Sequence, residues 1–360
     1  MTKPPPLAPP LAPPLAPPLA PPLAEIAVLL YPGAQLGAAH GLTDLFSVAN
    51  LMVKRRIGDA APRIRVSHWR GREDGKGAER VFDSDPGAAG EPDFVIMPPA
   101  VIAPITADEA APLAIWLKER HARGATLASV CAGAFLLGET GLLEGRPATT
   151  HWFYANDFAE RFPEARMDVD KLVIDDGDLI TAGGLMAWTD LGLKLVDRLL
   201  GPTAMLETAR FLLIDPPGRE QRYYSVFSPK LRHGDEAVLK VQHWLQATCA
   251  RDATLDTMAR KAGLEPRTFL RRFHKATGLK PTEYCQHLRV GKAREMLETT
   301  TRPVEQVAWD VGYEDPGAFR KVFVKVTGLG PREYRQRFGI AAMREGAPPE
   351  DAGSPEAADR

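Results

Sequence analysis

Two groups of residues in this chain have types and spacings suited to chemistry. The first is cationic. Arg267, Arg271, Arg272 and Lys275 surround Phe269 and Phe273, and about fifty residues later Arg320, Lys321 and Lys325 accompany Phe319, Val322, Phe323 and Val326. Aromatic residues four apart share one face of a helix, which leaves the cations for solvent or a partner. A guanidinium is a planar fork that can donate two hydrogen bonds to guanine O6 and N7, while an ammonium offers a point charge. The second group is nucleophilic: Ser129-Val130-Cys131-Ala132-Gly133, with His151 twenty residues on. A thiol on a tight turn between a strand and a helix forms a nucleophile elbow, where a helix amino end favours the thiolate and a histidine can serve as base.

The cationic helices need a frame, and the sequence supplies it twice. Leu255, Met258, Ala259 and Ala262 follow the i, i+3, i+4, i+7 spacing of a helix that Gly263 stops; Val304, Val307, Ala308 and Val311 repeat it before Gly312. After each glycine comes a polar turn with a proline, then the basic helix. Both copies close on matching words, Gly278-Leu279-Lys280-Pro281 with Glu283-Tyr284, and Gly328-Leu329-Gly330-Pro331 with Glu333-Tyr334. Each copy reads as a helix-turn-helix, whose second helix fits a major groove about 12 Å wide. A helix expected from Pro281 to Glu298 joins them, so that the two recognition helices would enter successive major grooves about 34 Å apart. A plain helical bundle with a solvated basic face is the alternative.

Residues from about 236 to 340 resemble the AraC/XylS DNA-binding domain. Its signature is close to Val311-Gly312-Tyr313-Glu314-Asp315-Pro316-Gly317-Ala318-Phe319 through Gly328-Leu329-Gly330-Pro331-Arg332-Glu333-Tyr334-Arg335. The resemblance implies base-reading positions at Arg267, Leu270 and Arg271 in the first unit and at Gly317, Arg320 and Lys321 in the second. One departure is visible: Glu265 replaces the helix-capping serine usual before the first recognition helix, which implies a weaker cap rather than a lost helix.

Composition agrees with a nucleic-acid reader attached to something else. The chain has 360 residues, 44 % of them hydrophobic, enough for two cores. Residues 236–340 hold 19 Lys or Arg against 12 Asp or Glu, so in a chain of net charge −1 the remainder is near −8. A basic module beside an acidic one suits a DNA reader with a separate sensor. Cys131, Cys249 and Cys285 lie far apart without metal-type spacing, which argues for a reducing compartment and against a disulfide framework or zinc finger. No apolar stretch is long enough to span a membrane. Leu-Ala-Pro-Pro repeats fill Pro6 to Leu23, and their prolines forbid the helical core of a secretion signal. Residues 1–24 are therefore expected to form a disordered or polyproline II tail, and residues 341–360 a disordered one.

The elbow belongs to a second pattern. Ile26-Ala27-Val28-Leu29-Leu30-Tyr31, Phe94-Val95-Ile96-Met97 and Ala125-Thr126-Leu127-Ala128-Ser129-Val130 are short, apolar and bounded by breakers, which suits parallel strands buried between helices. From about Ile26 to Leu212 the chain resembles the ThiJ/PfpI, class I glutamine amidotransferase-like fold, including Gly138-Glu139-Thr140-Gly141-Leu142-Leu143-Glu144-Gly145-Arg146 and Thr181-Ala182-Gly183-Gly184. In enzymatic relatives an acidic side chain after the first strand contacts the thiol; counted from Gly33, that place falls on Ala38. Taken whole, the chain resembles the GlxA-type transcriptional regulators, which fuse such a domain to an AraC-type reader.

The fold expected is an α/β flavodoxin-like sandwich with a nucleophile elbow, followed by an all-α domain of two helix-turn-helix units. Residues 25–213 form the sensor, 214–235 a linker and 236–340 the reader. The aromatic residues Tyr223, Tyr224 and Phe227 imply that the linker packs on a domain rather than swinging free. Function is expected to be that of a cytoplasmic transcription regulator, an activator, with partners double-stranded DNA, a second copy of itself and RNA polymerase. Cys131, Ala132 and His151 would line its effector pocket. Trp69, Trp152 and Trp188 suggest an amino acid or quaternary amine as effector, since aromatic walls favour cations. His40 and Asp44 lie four apart but find no third ligand, and neither metal nor cofactor is expected. Two rivals remain: a cysteine-dependent hydrolase or lyase tethered to DNA, and a redox sensor in which Cys131 oxidises.

Overall fold

The computed structural model describes residues 23–88 and 90–340; the segments 1–22 and 341–360, expected to be disordered, lie outside the described residues. The chain separates into two compact units, one of Met1–Leu143 with Asp175–Pro217 and the other of Glu144–Ile174 with Gly218–Arg360. Residues 144–174, inside the segment expected to be the sensor, fall in the same compact unit as the helical region.

The chain begins with β1 (Ala24–Leu30), α1 (Leu36–Ile57), β2 (Ile64–Gly71), β3 (Ala78–Asp83), β4 (Phe94–Met97), α2 (Ala107–Ala122), β5 (Thr126–Val130) and α3 (Gly133–Gly138). It continues through β6 (Pro147–Ala148), α4 (Ala155–Arg161), β7 (Arg166–Met167), β8 (Val173–Asp175), β9 (Leu179–Ala182) and α5 (Trp188–Leu212). The main sheet has the order β3-β2-β1-β4-β5-β9-β8. Pairs β1–β2, β1–β4, β4–β5 and β5–β9 are parallel, and the edge pair β2–β3 is antiparallel. Strands β1, β4 and β5 are buried along nearly their whole length, as runs apolar on both faces require.

Helices α1 and α5 pack closely because glycines let them. A Cβ on Gly192 would lie 2.9 Å from Leu45, and one on Gly41 would lie 2.5 Å from the Trp188 ring. Trp188 is thus a packing residue against α1. Trp69 goes elsewhere, 5.4 Å from the Trp116 ring of α2, so these two tryptophans line no common aromatic cage. Helix α5 is broken within: Gly201 has φ 85°, Pro202 follows, and the helix resumes to Leu212.

The second unit is helical beyond Asp235: α6 (Glu236–Ala247), α7 (Leu255–Ala262), α8 (Pro266–Thr277), α9 (Pro281–Thr299), α10 (Val304–Asp310), α11 (Pro316–Thr327) and α12 (Pro331–Phe338). It holds two small cores. Val238, Val241, Leu245, Met258, Phe269, Phe273 and Tyr284 make the first. Val290, Leu297, Val307, Phe319, Phe323 and Tyr334 make the second. Helix α9 feeds both, with Tyr284 in one and Val290 and Leu297 in the other. The repeated words have a repeated cause. Thr277 and Thr327 each donate to the carbonyl four residues back at 2.8 Å and accept from the N–H of Leu279 and Leu329. Gly278 and Gly328 then stop the helices with φ 76° and 77°, where a side chain is strained. Pro266, Pro281, Pro316 and Pro331 each open a helix, where the missing N–H costs nothing.

Candidate functional site

Helices α8 and α11 carry the cationic residues, and their phenylalanines fix which way these face. Phe269, Phe273, Phe319 and Phe323 are all fully buried. That leaves Arg267, Leu270 and Arg271 exposed on α8, and Gly317, Arg320 and Lys321 exposed on α11. The structure therefore gathers each triplet on one outward face. Arg272, which the sequence grouped with the solvent-facing cations, is instead committed to structure: its guanidinium donates to both oxygens of Asp235 at 2.8 and 2.7 Å. Asp235 caps α6 by accepting from Val238 N–H, so this fork ties the first recognition helix to the helix before it. Arg320 is also held, by an ion pair with Glu305 of α10 that the sequence did not reveal. Arg267, Arg271 and Lys321 make no ion pair among the described residues.

The two recognition helices start differently. Asp315 accepts from Gly317 N–H at 2.8 Å and Ala318 N–H at 3.0 Å, whereas Glu265 makes no side-chain cap bond. Glutamate's extra methylene places its carboxylate too far from the first turn for the reach that serine or aspartate has.

The elbow is present in shape. Cys131 has φ 53°, its N–H donates to Ala182 O at 2.7 Å, and α3 begins two residues later. A Cβ at Gly133 would lie 2.4 Å from Met97 O, so no side chain fits there. The expectation of a thiolate is not met. Cys131 is 2 % exposed, and burial pushes its thiol up to about 11 although the Ala132 N–H opposes the shift. Desolvation outweighs the hydrogen bond from the Ala132 N–H at the helix end. Ala132 is fully buried, and so is Ala38, where enzymatic relatives place an acid. Tyr31 lies within electrostatic reach of Cys131 and donates its hydroxyl to Pro98 O at 2.5 Å.

His151 falls in the second unit and Cys131 in the first. Its imidazole caps the turn Trp152–Tyr154, Nδ1 accepting from Phe153 N–H at 3.0 Å, and burial lowers its pKa. A neutral ring with one nitrogen engaged by backbone performs a structural task.

Beside it lies an arrangement without a sequence signal of its own. Gln221 is 2 % exposed, and its amide fills a cradle built by residues 149–171. Nε2 donates to Thr150 O at 2.9 Å and Val169 O at 3.0 Å, while Oε1 accepts from Trp152 N–H at 2.8 Å. The following residues lie on the second helix-turn-helix. Arg294, largely buried, donates to Arg222 O at 3.0 Å and to Ser225 O, with its guanidinium 5.3 Å from the Tyr334 ring. A Cβ at Gly328, the residue ending α11, would lie 2.7 Å from the Tyr223 ring. Residues 220–225 thus form a strap from the 149–171 segment to the end of a recognition helix. Aromatic content foretold that the segment packs; one glutamine among charged neighbours foretold nothing of where.

Comparison with known proteins agrees with both halves. A family model described as a helix-turn-helix domain matches residues 258–337, and that of the DJ-1/PfpI family matches residues 75–198. The HTH-type transcriptional regulator ArgR of Pseudomonas aeruginosa is 28 % identical over 217 residues, covering 60 % of this chain and 63 % of ArgR. The HTH-type transcriptional regulator GlxA of Rhizobium meliloti is 28 % identical over 198 residues, covering 54 % of this chain and 60 % of GlxA. An uncharacterized protein from the cpoL 5' region of Streptomyces lividans is 34 % identical over 146 residues, 38 % of this chain and 94 % of that protein. The matches thus span about 60 % of the length of the two named regulators.

Proposed function

We propose that this chain, which belongs to the proteins joining a DJ-1/PfpI domain to an AraC-type helix-turn-helix domain, is a sequence-specific DNA-binding transcription regulator. One observation carries the reading: two exposed basic helices, each seated by the same pair of phenylalanines on its own small core, with one helix, α9, shared by both cores. Arg267, Leu270, Arg271, Gly317, Arg320 and Lys321 face outward for base edges, and the arginine forks suit guanine. The α/β unit acts as the sensor of a small molecule, with the elbow of Cys131 and Ala132 as its inherited scaffold and His151 beside the strap. A second copy would double the DNA contacts and gain from linked binding, so a homodimer acting as an activator beside RNA polymerase is the working assembly. No helix among the described residues is long and apolar enough to cross a membrane, in keeping with action at the chromosome.

The thiol's burial and its high pKa favour neither a hydrolase nor a fast redox sensor, since thiolate is the reactive species in both. Gel-shift titration against genomic fragments over a salt series tests the regulator reading. A fragment bound well above random DNA, with a steep salt dependence, is expected. Equal binding to all fragments would end it.

A further inference from the structure

A cavity of 550 Å³ lies beyond the carboxyl ends of β1 and β2, and it takes no part in the elbow. Three segments bound it: the turn after β1 from Tyr31 to Leu36, the β2–β3 hairpin from Arg70 to Gly77, and the first turns of α2 at Glu109 to Leu113. The sheet order places β1 between β2, its successor on one side, and β4 on the other. The connections reverse direction between β1 and β4, where open α/β sheets bind ligands, so the cavity, walled by the ends of β1 and β2 and by α2, lies beside that crevice. The hairpin closes tightly on α2: a Cβ at Gly71 would lie 3.1 Å from Leu113, and one at Gly77 would lie 3.0 Å from Trp116.

The walls are mostly apolar, from Leu30, Leu36, Pro112, Leu113 and the Tyr31 ring, whose hydroxyl is already used on Pro98 O. Of the three charged residues lining the cavity, two are spoken for. Arg72 pairs with Asp74 at 3.4 Å, and Glu109 accepts from Thr106 N–H and Oγ1 at 3.2 and 2.7 Å in the capping box of α2. The Arg70 side chain is exposed and makes no hydrogen bond or ion pair among the described residues, Glu79 opposite it in the β2–β3 register included. One planar cation is left at the rim of an apolar space.

Resting on the reading of this unit as a sensor, we infer that the cavity binds a small organic monocarboxylate with an apolar body, its carboxylate held by Arg70. A guanidinium meets a carboxylate through two parallel bonds, and the apolar walls reward a hydrocarbon body of matching size. Tyr31 lines the cavity and also lies within electrostatic reach of Cys131 in the elbow.

The test is calorimetric titration of the full chain with 4-methylpentanoate and phenylacetate, each beside its neutral primary amide. Wild-type protein is expected to bind at least one carboxylate about 10- to 100-fold more tightly than its amide, the range a charge-assisted bond supplies. Arg70→Ala should lose that preference, and Arg70→Lys should keep part of it. Equal affinity for acid and amide, undiminished carboxylate binding by Arg70→Ala, or no binding of either acid at millimolar concentration would each overturn the assignment. Ligand-free Arg70→Ala should shift DNA as wild type does, since Arg70 lies in the other unit. Intact DNA binding with no carboxylate response therefore sinks this inference alone, whereas loss of sequence preference in the wild type sinks the regulator reading.

Discussion

Replacing Gln221 with alanine tests whether the strap fastens residues 149–171 to the helical unit. The substitution takes the acceptor from Trp152 N–H and the donor from the carbonyls of Thr150 and Val169, bonds of 2.8, 2.9 and 3.0 Å. Trp152 and Val169 are only half-buried, so water can recover some of the loss there, while Thr150 is fully buried; about 1 kcal/mol per bond is the fitting average. The sum, about 3 kcal/mol, corresponds to about a 100-fold rise in local opening. Hydrogen exchange resolved by residue is the assay: amides from Thr150 to Lys171 should exchange about 100-fold faster, while those in the core of α9 stay unchanged. A second variant separates bonding from volume. Gln221→Glu keeps the shape but turns a carboxylate oxygen toward two carbonyls, while Trp152 N–H keeps its acceptor. That carboxyl would have its pKa raised by its neighbours, so protonation restores a donor. The loosening should therefore be greatest at neutral pH and shrink as the pH falls through the raised value. Native exchange rates in Gln221→Ala would refute the strap's holding role, and a pH-independent Gln221→Glu would refute the account of its bonds.

Further outcomes follow from the same geometry. Arg271→Ala and Lys321→Ala should each weaken binding to a preferred fragment by about 1 to 3 kcal/mol in gel shifts, with a smaller loss on random DNA; equal losses would assign the two to phosphate. Gly328→Ala meets both a φ of 77° and the Tyr223 ring at 2.7 Å, so it should cost more than the roughly 1 kcal/mol of backbone strain alone and expose the strap to limited proteolysis. Asp315→Ala should lower stability by about 1 kcal/mol and Glu265→Ser raise it by up to about that amount, read from denaturant midpoints. Iodoacetamide should label Cys131 slowly at neutral pH and faster as the pH climbs toward about 11. Because that pKa is raised by folding, the buried thiol's contribution to stability is full below the ordinary thiol value of 9.0 and is lost as the pH rises toward the folded value. Rapid labelling at pH 7 would contradict the burial.

The helical unit was legible in the sequence because its information is local and doubled. Phe269 and Phe273, with Phe319 and Phe323, fix the buried faces by spacing alone, and the Thr-Gly-Leu turns carry their own hydrogen bonds. The strands Phe94–Met97 and Thr126–Val130 were equally plain, since a run apolar on both faces has few other uses. Strand β3, whose residues are at most half-buried, gave no such signal. At the elbow, residue types revealed the turn but not the balance of forces on it: burial is a property of the whole fold, and it reversed the expected effect of the helix end on Cys131. Arg272 shows the same limit. Its position on α8 marked it as exposed, and only the distant Asp235 made it a strut.

The linker is the place where local reading runs out most completely. Between Gly218 and Asp235 the chain first lies on the second helix-turn-helix, through Arg294 and Gly328, and then reaches the first. There Phe227 packs 5.1 Å from the Tyr284 ring and stacks 4.8 Å from His287. Asp235 then closes the run by holding Arg272 of the first recognition helix. Both copies are therefore fastened by the same eighteen residues before α6 begins, and fastened again to each other through α9, which serves both cores. A tether would let the two basic helices search DNA independently. Two separate fastenings set their mutual placement in advance, so the entropy of aligning the second helix is lost on folding rather than on binding.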